Sequence, residues 1–481
     1  MALLWTLQAQ GQKRPRPGES WGFQGMGLTN VATSALSTLL SNGGIGTGLN
    51  VQELVSEQIQ ADSGPLTLLQ NQQSQLSSQT SALNNLSSDL SSLLTAVNDL
   101  TDITGGLSSQ QANSSDSSVL TATADTTAQQ AVHNIVVSSL ATTGSYYTNP
   151  SQLPASGTTQ LATGGSFTIQ AGTSSATITI DNSNNTLFGL AAAINNSAVG
   201  NAVTASVVQD STGARLAIVS DTSGAAGDIT ITDTGNSTGL NFTKAVTGAD
   251  ASLTVDGIPV SSATNTVTGV LQGVTLNLAS ANPHETVTLG VQSDSTQAVS
   301  AINQFVSAYN QFISDINTQF AVDPTTGNAG VLASDGILSL IQDQLFGAIN
   351  YSGSGSISNL ATIGLNLQND GTIQVDSATL NSALSTDFSA VQSFFQSTSS
   401  GAGQALLTAV TNLTDSTQGP VALDLQGISQ QQSDLSDQIS DIQYNLSVEQ
   451  QNLVTKYSQV NTVLEQLPAL QQQISEQLTG I

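Results

Sequence analysis

Apolar residues recur at intervals of seven near both ends of this 481-residue chain. The C-terminal row runs without interruption through Ile439, Leu446, Leu453, Val460, Leu467, Ile474 and Ile481. The N-terminal row comprises Leu69, Leu76, Leu83, Leu90 and Val97. Helices with this period bury a narrow seam against a partner helix and supercoil around it. The sequence therefore predicts coiled-coil helices at both ends, which serve assembly, and a different structure between them.

Each row has a companion row three residues away along the chain. The companions are Leu86, Leu93 and Leu100 near the N-terminus, and Ile428, Leu435, Ile442, Val463 and Leu470 near the C-terminus. In the C-terminal companion row, Glu449 and Lys456 stand where apolar residues are expected. Such polar residues either fix the register and the choice of partner, or lie at the edge of a wider interface. The sequence leaves both interpretations open.

Between residues 105 and 291 the apolar period changes from seven to two. Short alternating runs at 167–169, 178–180 and 203–207 are bounded by Gly, Asn, Asp or Ser, which predicts antiparallel strands joined by turns. One short helix is predicted at 187–194. Helical spacing returns at Thr296, and a small hairpin is predicted from Ile363 to Val375. The predicted fold class is α+β and multidomain, with terminal coiled-coil helices and a helical leg domain flanking an inserted β-rich head of two subdomains.

These patterns predict six segments. They are a mis-assigned start (1–25), a flexible N-terminal export segment (26–48), N-terminal helices (49–104), a β-rich head (105–291), a helical leg domain with a small hairpin (292–417) and a C-terminal coiled-coil helix (418–481). Residues 418–426 are expected to form a loop, and Pro468 is expected to kink or break the last helix. The basic cluster of segment 1–25 follows its apolar run, unlike a secretory signal, so we expect Met26 to be the true start.

The charge balance excludes several classes of function. The chain has 33 acidic and 6 basic residues, a net charge of −27. Nucleic-acid binding and anionic membrane surfaces both require clustered Lys and Arg, so neither is predicted. No run of about 18 apolar residues is present, so no membrane insertion is predicted. Subunit contacts must be apolar or hydrogen-bonded, and an acidic habitat would relieve the repulsion between copies.

The chemistry of known active sites is not found in the sequence. The chain has no cysteine, which excludes disulfides and thiolate sites. His133 and His284 have no acidic or serine partner at a motif spacing, and ordinary strand residues are the favoured interpretation. Segment 181–185 lacks the glycine and glutamate of a calcium loop, so a tight turn is predicted. We predict a protein that is not an enzyme and binds no metal or cofactor.

Several segments, taken in chain order, resemble motifs of the bacterial flagellar filament cap protein family, the hook-associated protein 2 family. These segments are 46–55, 65–70, 115–124, 185–187, 193–195, 205–207, 215–218, 253–260, 273–276, 305–310, 363–365 and 370–373. The set at 185–218 resembles an insertion motif shared by hook-associated proteins and some flagellins. Each segment alone is a weak signal, whereas the ordered set is specific.

The resemblance implies an assembly protein that forms a homo-oligomer, most often a pentamer, at the distal filament tip. It implies secretion by the flagellar type III route, contacts with flagellin, with hook–filament junction proteins and with an export chaperone, and help to flagellin subunits as they fold and insert. Adhesion by the exposed head would be a side activity. The alternatives are a secreted surface adhesin, another hook-associated or flagellin-like filament protein, and an extracellular hydrolase.

Overall fold

The computed structural model describes residues 51–325, 327–353, 355–398 and 401–479. These residues form two compact units. The first unit combines the described residues up to Ala82 with those from Asp424 onward, and the second runs from Leu83 to Leu423. The segments predicted as a mis-assigned start (1–25) and as a flexible export segment (26–48) lie outside the described residues.

The first unit is helical. It contains α1 (Val51–Asp62), the beginning of α2 (Gly64–Thr101) and most of α9 (Pro420–Thr479). The loop predicted at 418–426 is wrong, because α9 begins at Pro420, a residue suited to the first helical turn. A break at Pro468 is also wrong, since the helix continues through it, while the alternative of a kink there stays a prediction. A proline removes a single backbone hydrogen bond, which a helix of 60 residues tolerates.

The second unit contains the β-rich head. Its strands are β1 (Gln110–Ser114), β2 (Leu120–Ala124), β3 (Ala131–Ser139), β4 (Thr143–Thr148), β5 (Ser166–Ala171), β6 (Ser174–Thr179), β7 (Val203–Asp210), β8 (Gly213–Ser223), β9 (Ile229–Thr232), β10 (Phe242–Val246), β11 (Ala251–Val255), β12 (Ile258–Ser262), β13 (Thr266–Leu271), β14 (Val274–Leu278) and β15 (Val287–Ser293). The short helix α3 (Leu187–Asn195) begins with Thr186, whose side chain accepts a hydrogen bond from the Gly189 N–H.

The head strands form two antiparallel subdomains, each with its own core. In one, a five-stranded sheet of order β1-β15-β3-β11-β12 shares a core with a three-stranded sheet of order β13-β14-β2. Ile135, Leu253 and Leu276 are buried there because alternate residues of each strand point to the same face. In the other, a sheet of order β10-β4-β8-β7, a sheet of order β6-β5-β9 and helix α3 enclose Phe167 and Leu216.

Helices surround a small hairpin in the remainder of the second unit. They are the end of α2, α4 (Ser295–Phe320), α5 (Ile337–Ile349), α6 (Ser377–Thr386), α7 (Phe388–Gln396) and α8 (Ala402–Thr414), and the hairpin consists of β16 (Leu365–Leu367) and β17 (Ile373–Val375). Three of these helices begin with an aspartate whose carboxylate accepts backbone N–H groups of the first turn, namely Asp294, Asp376 and Asp387. Apolar residues at intervals of three and four along α4 are buried, which explains its position in the core.

Candidate functional site

The predicted seam is partly buried in the first unit. On α9, the side chains of Ile428, Leu435 and Ile439 are 5–8% exposed. On α2, Leu69 and Leu76 are half-buried. The amide of Gln432 donates to the Thr80 hydroxyl at 3.3 Å, so α2 and α9 contact each other within this unit. The C-terminal row therefore has a helical partner over part of its length.

Further along α9 the same rows become exposed. Leu446 and Leu453 are half-buried. Beyond them, the exposed fractions are 45% for Val460, 61% for Val463, 50% for Leu470 and 56% for Ile474. The side chain of Leu467 lies outside the described residues. A helix that presents a continuous apolar row to water is typical of a surface that contacts another chain.

The rest of the N-terminal row belongs to the core of the second unit. Leu83, Leu90 and Val97 are 0–1% exposed, as are their companions Leu86, Leu93 and Leu100 at 0–2%. Glu449 and Lys456, by contrast, are both exposed on α9. Thus neither seven-residue row is uniformly buried. The N-terminal row is half-buried at Leu69 and Leu76 and fully buried from Leu83 onward, whereas the C-terminal row is buried at Ile439 and exposed at Val460 and Ile474. A role for these residues in assembly stays a prediction.

Two carboxyl groups meet between α2 and α4. Asp89 of α2 faces Asp315 of α4, and its buried Oδ2 atom has no hydrogen-bond partner among the described residues. Burial first, and then the neighbouring Asp315 carboxyl, raises the pKa of Asp89 to about 6. The protonated form of Asp89 is therefore favoured by folding.

Three asparagine amides each pair with both backbone groups of one distant residue. Asn195 accepts from the Ala205 N–H at 2.7 Å and donates to its carbonyl at 2.9 Å. Asn265 does the same for Ala141, at 2.7 and 3.0 Å, and Asn310 for Ile373, at 2.7 and 2.8 Å. Each amide thus presents the donor and acceptor that a neighbouring strand would present. We call these contacts asparagine clasps. The clasp at Asn195 attaches helix α3 to strand β7, and the clasp at Asn310 attaches helix α4 to strand β17.

Exposed turns rely on aspartate rather than on ion pairs. In seven of them the Oδ1 atom accepts from both the backbone N–H and the hydroxyl of the residue two positions later: Asp102, Asp116, Asp125, Asp181, Asp210, Asp370 and Asp415. These hydrogen bonds hold the pKa of each carboxyl below its ordinary value. Their contribution to stability is complete above the ordinary pKa of 3.8 and is lost as the pH falls through the lowered value.

Only two contacts between basic and acidic side chains occur among the described residues. Lys244 donates to Asp228 at 2.7 Å. The other pair joins His133 Nδ1 of β3 to Asp256 Oδ2 at 2.7 Å, in the turn between β11 and β12. Asp256 lies 123 residues from His133 in the sequence, so no short motif spacing could indicate this pair. Asp256 also accepts from the Asn134 N–H, and both bonds lower the pKa of Asp256, which points to a turn-fixing contact.

Within the described residues, no group of three or more His, Cys, Asp or Glu side chains could hold a metal ion. The helices described there include none long and apolar enough to cross a bilayer. A shallow groove of about 520 Å³ lies between α5 and α8 and is lined by small and amide side chains. The candidate functional surface that the described residues offer is the exposed apolar row of α9.

Comparisons with known proteins identify the family of this chain. The flagellar hook-associated protein 2 N-terminus model matches residues 47–144, and the C-terminus model of the same protein matches residues 248–469. Flagellar hook-associated protein 2 of Escherichia coli K12 is 28% identical over 425 residues, which cover 82% of this chain and 89% of that protein. B-type flagellar hook-associated protein 2 of Pseudomonas aeruginosa is 29% identical over 321 residues, 59% of this chain and 65% of that protein. The match to the Helicobacter pylori protein covers 22% of its length.

A solved structure supports the fold. The crystal structure of the D1-D2-D3 domains of the flagellar cap protein FliD from Escherichia coli matches with a TM-score of 0.55 at 27% identity, over 72% of this chain and 99% of that one. The α+β multidomain fold with a β-rich head is thereby confirmed. Since models for both ends of one protein match in chain order, the chain belongs to the flagellar hook-associated protein 2 family.

Proposed function

We propose that this protein caps the flagellar filament. It is secreted, oligomerises at the filament tip, and promotes the folding and insertion of exported flagellin subunits. The observation that carries the proposal is the exposed apolar row of α9, at Val460, Val463, Leu470 and Ile474. Family membership favours this function over a flagellin-like subunit or a secreted adhesin.

The helices supply the contacts with the filament and the β-rich head is displayed. Val463 is 61% exposed, so a partner helix that covers the row would remove much of its side chain from water. Burial of apolar surface stabilises by about 25 cal/mol per Å², which favours association. Because most of the polar residues that flank the exposed row are Gln, Ser and Asn, with Glu465 and Glu476 as the acidic exceptions, its contacts depend little on ion pairs. Legs can then release and rebind as subunits are added.

The oligomer is a closed ring, most often of five copies, and the protein reaches the tip through the flagellar type III channel. An export chaperone and the hook–filament junction proteins are its other partners. These finer assignments rest on the family resemblance, and they agree with a chain that has no cysteine and no bilayer-spanning helix among its described residues.

The test is a charge placed in the exposed row. In cells that lack the wild-type protein, Val460→Asp should abolish filament growth, and unpolymerised flagellin should accumulate in the medium. The matched control is Gln459→Asp, which adds the same charge to the adjacent exposed position outside the row. Both purified variants should keep the far-ultraviolet circular dichroism and melting behaviour of the parent. Normal motility with Val460→Asp would rule out a role for this row in capping.

A further inference from the structure

The four-stranded sheet of the head has one face in the core and one in solvent. Along β8, Leu216 and Ile218 are fully buried. The alternate residues Arg215, Ala217, Val219 and Asp221 point the other way, since successive side chains of a strand lie on opposite faces. We call the solvent side the outer sheet face.

The outer sheet face carries three exposed valines among tyrosine, alanine, serine and threonine residues. Val219 is 39% exposed and pairs with Ser145 of β4, whose partner on the other side is Val246 of β10, 41% exposed. Tyr147 lies beside Ala217 in the next row across the sheet. Val208 of β7, 55% exposed, pairs with Arg215. Single exposed valines are ordinary, but several on one sheet face form a patch of the kind that contacts another protein.

Opposite charges stand at the two ends of this face. Arg215 and Asp221 are six residues apart on β8, about 20 Å at roughly 3.3 Å per residue. Arg215 donates to the Asn149 side chain at 2.8 Å and lies 5.9 Å from the centre of the Tyr147 ring. It forms no ion pair with the described carboxylates, although its charge helps to lower the pKa of Asp210 at the end of β7. Asp221 accepts a hydrogen bond from Thr204 and is likewise without a basic partner there.

This arrangement is self-complementary. When two copies face each other about a two-fold axis with their β8 strands antiparallel, Arg215 of each copy meets Asp221 of the other, and the exposed valines between them are covered. Most surfaces of two chains with net charge −27 repel. The outer sheet face has a basic residue and an acidic residue at opposite ends of β8, with Val219 between them, which is the order that such pairing requires. We propose that two copies of this chain pair face to face through the outer sheet face.

The test uses the full chain and a charge swap. Arg215→Asp and Asp221→Arg should each weaken self-association measured by sedimentation velocity by about tenfold or more, because each places like charges together. The double variant carrying both changes should restore it. Association unaffected by the single changes, or not restored by the double change, would overturn the proposal. This assay does not depend on filament growth, so its failure leaves the capping function untouched.

A second measurement separates this face from the terminal helices, for which association is also proposed. The chain has no cysteine, so single cysteines report unambiguously on proximity. Val219→Cys should be joined efficiently between copies by a short thiol-reactive cross-linker. Val132→Cys, at an apolar position 69% exposed on the other head sheet, is the matched control and should react several-fold more slowly. Equal rates for the two variants would contradict the proposal.

Discussion

The asparagine clasp at Asn310 allows a quantitative test of how helix α4 holds the hairpin β16–β17. Its amide satisfies both backbone groups of Ile373. Ile373 is 3% exposed, so Asn310→Ala leaves a buried N–H and a buried carbonyl without partners. Each unsatisfied group costs about 1–3 kcal/mol. Because Asn310 itself is half-buried, water can partly replace the amide, and we expect a loss near the lower limit, about 2 kcal/mol.

The Asn310→Asp variant separates geometry from hydrogen bonding. It keeps an acceptor for the Ile373 N–H but places a carboxylate oxygen where the amide nitrogen now lies, 2.8 Å from the Ile373 carbonyl. Only the protonated acid can donate there, so folding raises the pKa of the new carboxyl. Its stabilising contribution is then complete below the unfolded pKa of about 3.9 and is lost as the pH rises through the folded value. Relative to the parent at each pH, the variant should be nearly neutral at pH 3 and destabilised at pH 7.

The assay combines urea unfolding with hydrogen exchange of the hairpin. Exchange of the Ile373 amide should accelerate by about thirtyfold for a loss of about 2 kcal/mol. Asn317→Ala is the matched control, because Asn317 lies on the same helix and makes a single exposed bond, to the Asp370 carbonyl at 2.8 Å. Its cost should be about 1 kcal/mol or less. Equal effects of the two alanine variants on stability and exchange would refute the reasoning.

Four further substitutions should each change stability in a definite direction. Asp89→Asn should stabilise the second unit against urea at pH 8 but not at pH 4. The stabilising contribution of protonated Asp89 is present below its ordinary pKa of 3.8 and is lost as the pH rises through about 6. Equal effects at both pH values would contradict this. Asp415 has a lowered pKa, held by the N–H groups of Thr417 and Gln418 and then by the Thr417 hydroxyl, so its contribution is present above 3.8 and lost as the pH falls. Asp415→Ala should accordingly lower the melting temperature at pH 7 but not at pH 2. Gly403→Ala should destabilise α8, since the added Cβ would lie 1.9 Å from a backbone oxygen. In α5, the Cβ added by Gly347→Ala meets nothing within 4 Å, and this change should stabilise by about 0.5–1 kcal/mol. Thermal melts of the two variants measure both effects.

Local patterns predicted the helices better than the strands. The sequence Gly64-Pro65 marks the start of α2, and Thr186 followed by apolar residues marks the start of α3. Both signals act within a single helical turn. Strands β1 and β10 escaped notice because their side chains are mostly half-buried and do not alternate. What makes them strands is pairing with β15 and β4, which lie far away in the sequence.

The period of seven predicted a seam but not its partner. Leu83 and Leu90 obey the same spacing as Leu69, yet they are buried in the other compact unit. A heptad pattern states only that one helix face is apolar, and any apolar surface can cover it. The asparagine clasps could not be predicted from the sequence either. Asn195 and Asn310 lie in segments that resemble the family, but their roles depend on backbone groups 10 and 63 residues away, respectively.

The aspartate-anchored turns have a consequence for the response of this protein to ionic strength. Their donors are hydroxyl and N–H groups, which dissolved ions screen far less than paired charges, and the described residues contain only two contacts between basic and acidic side chains. Salt should therefore change the stability of a single protomer very little. Between copies the leading long-range force is repulsion between net charges of −27, which salt weakens. Raising the salt concentration should thus favour assembly far more than it changes the stability of the folded protomer.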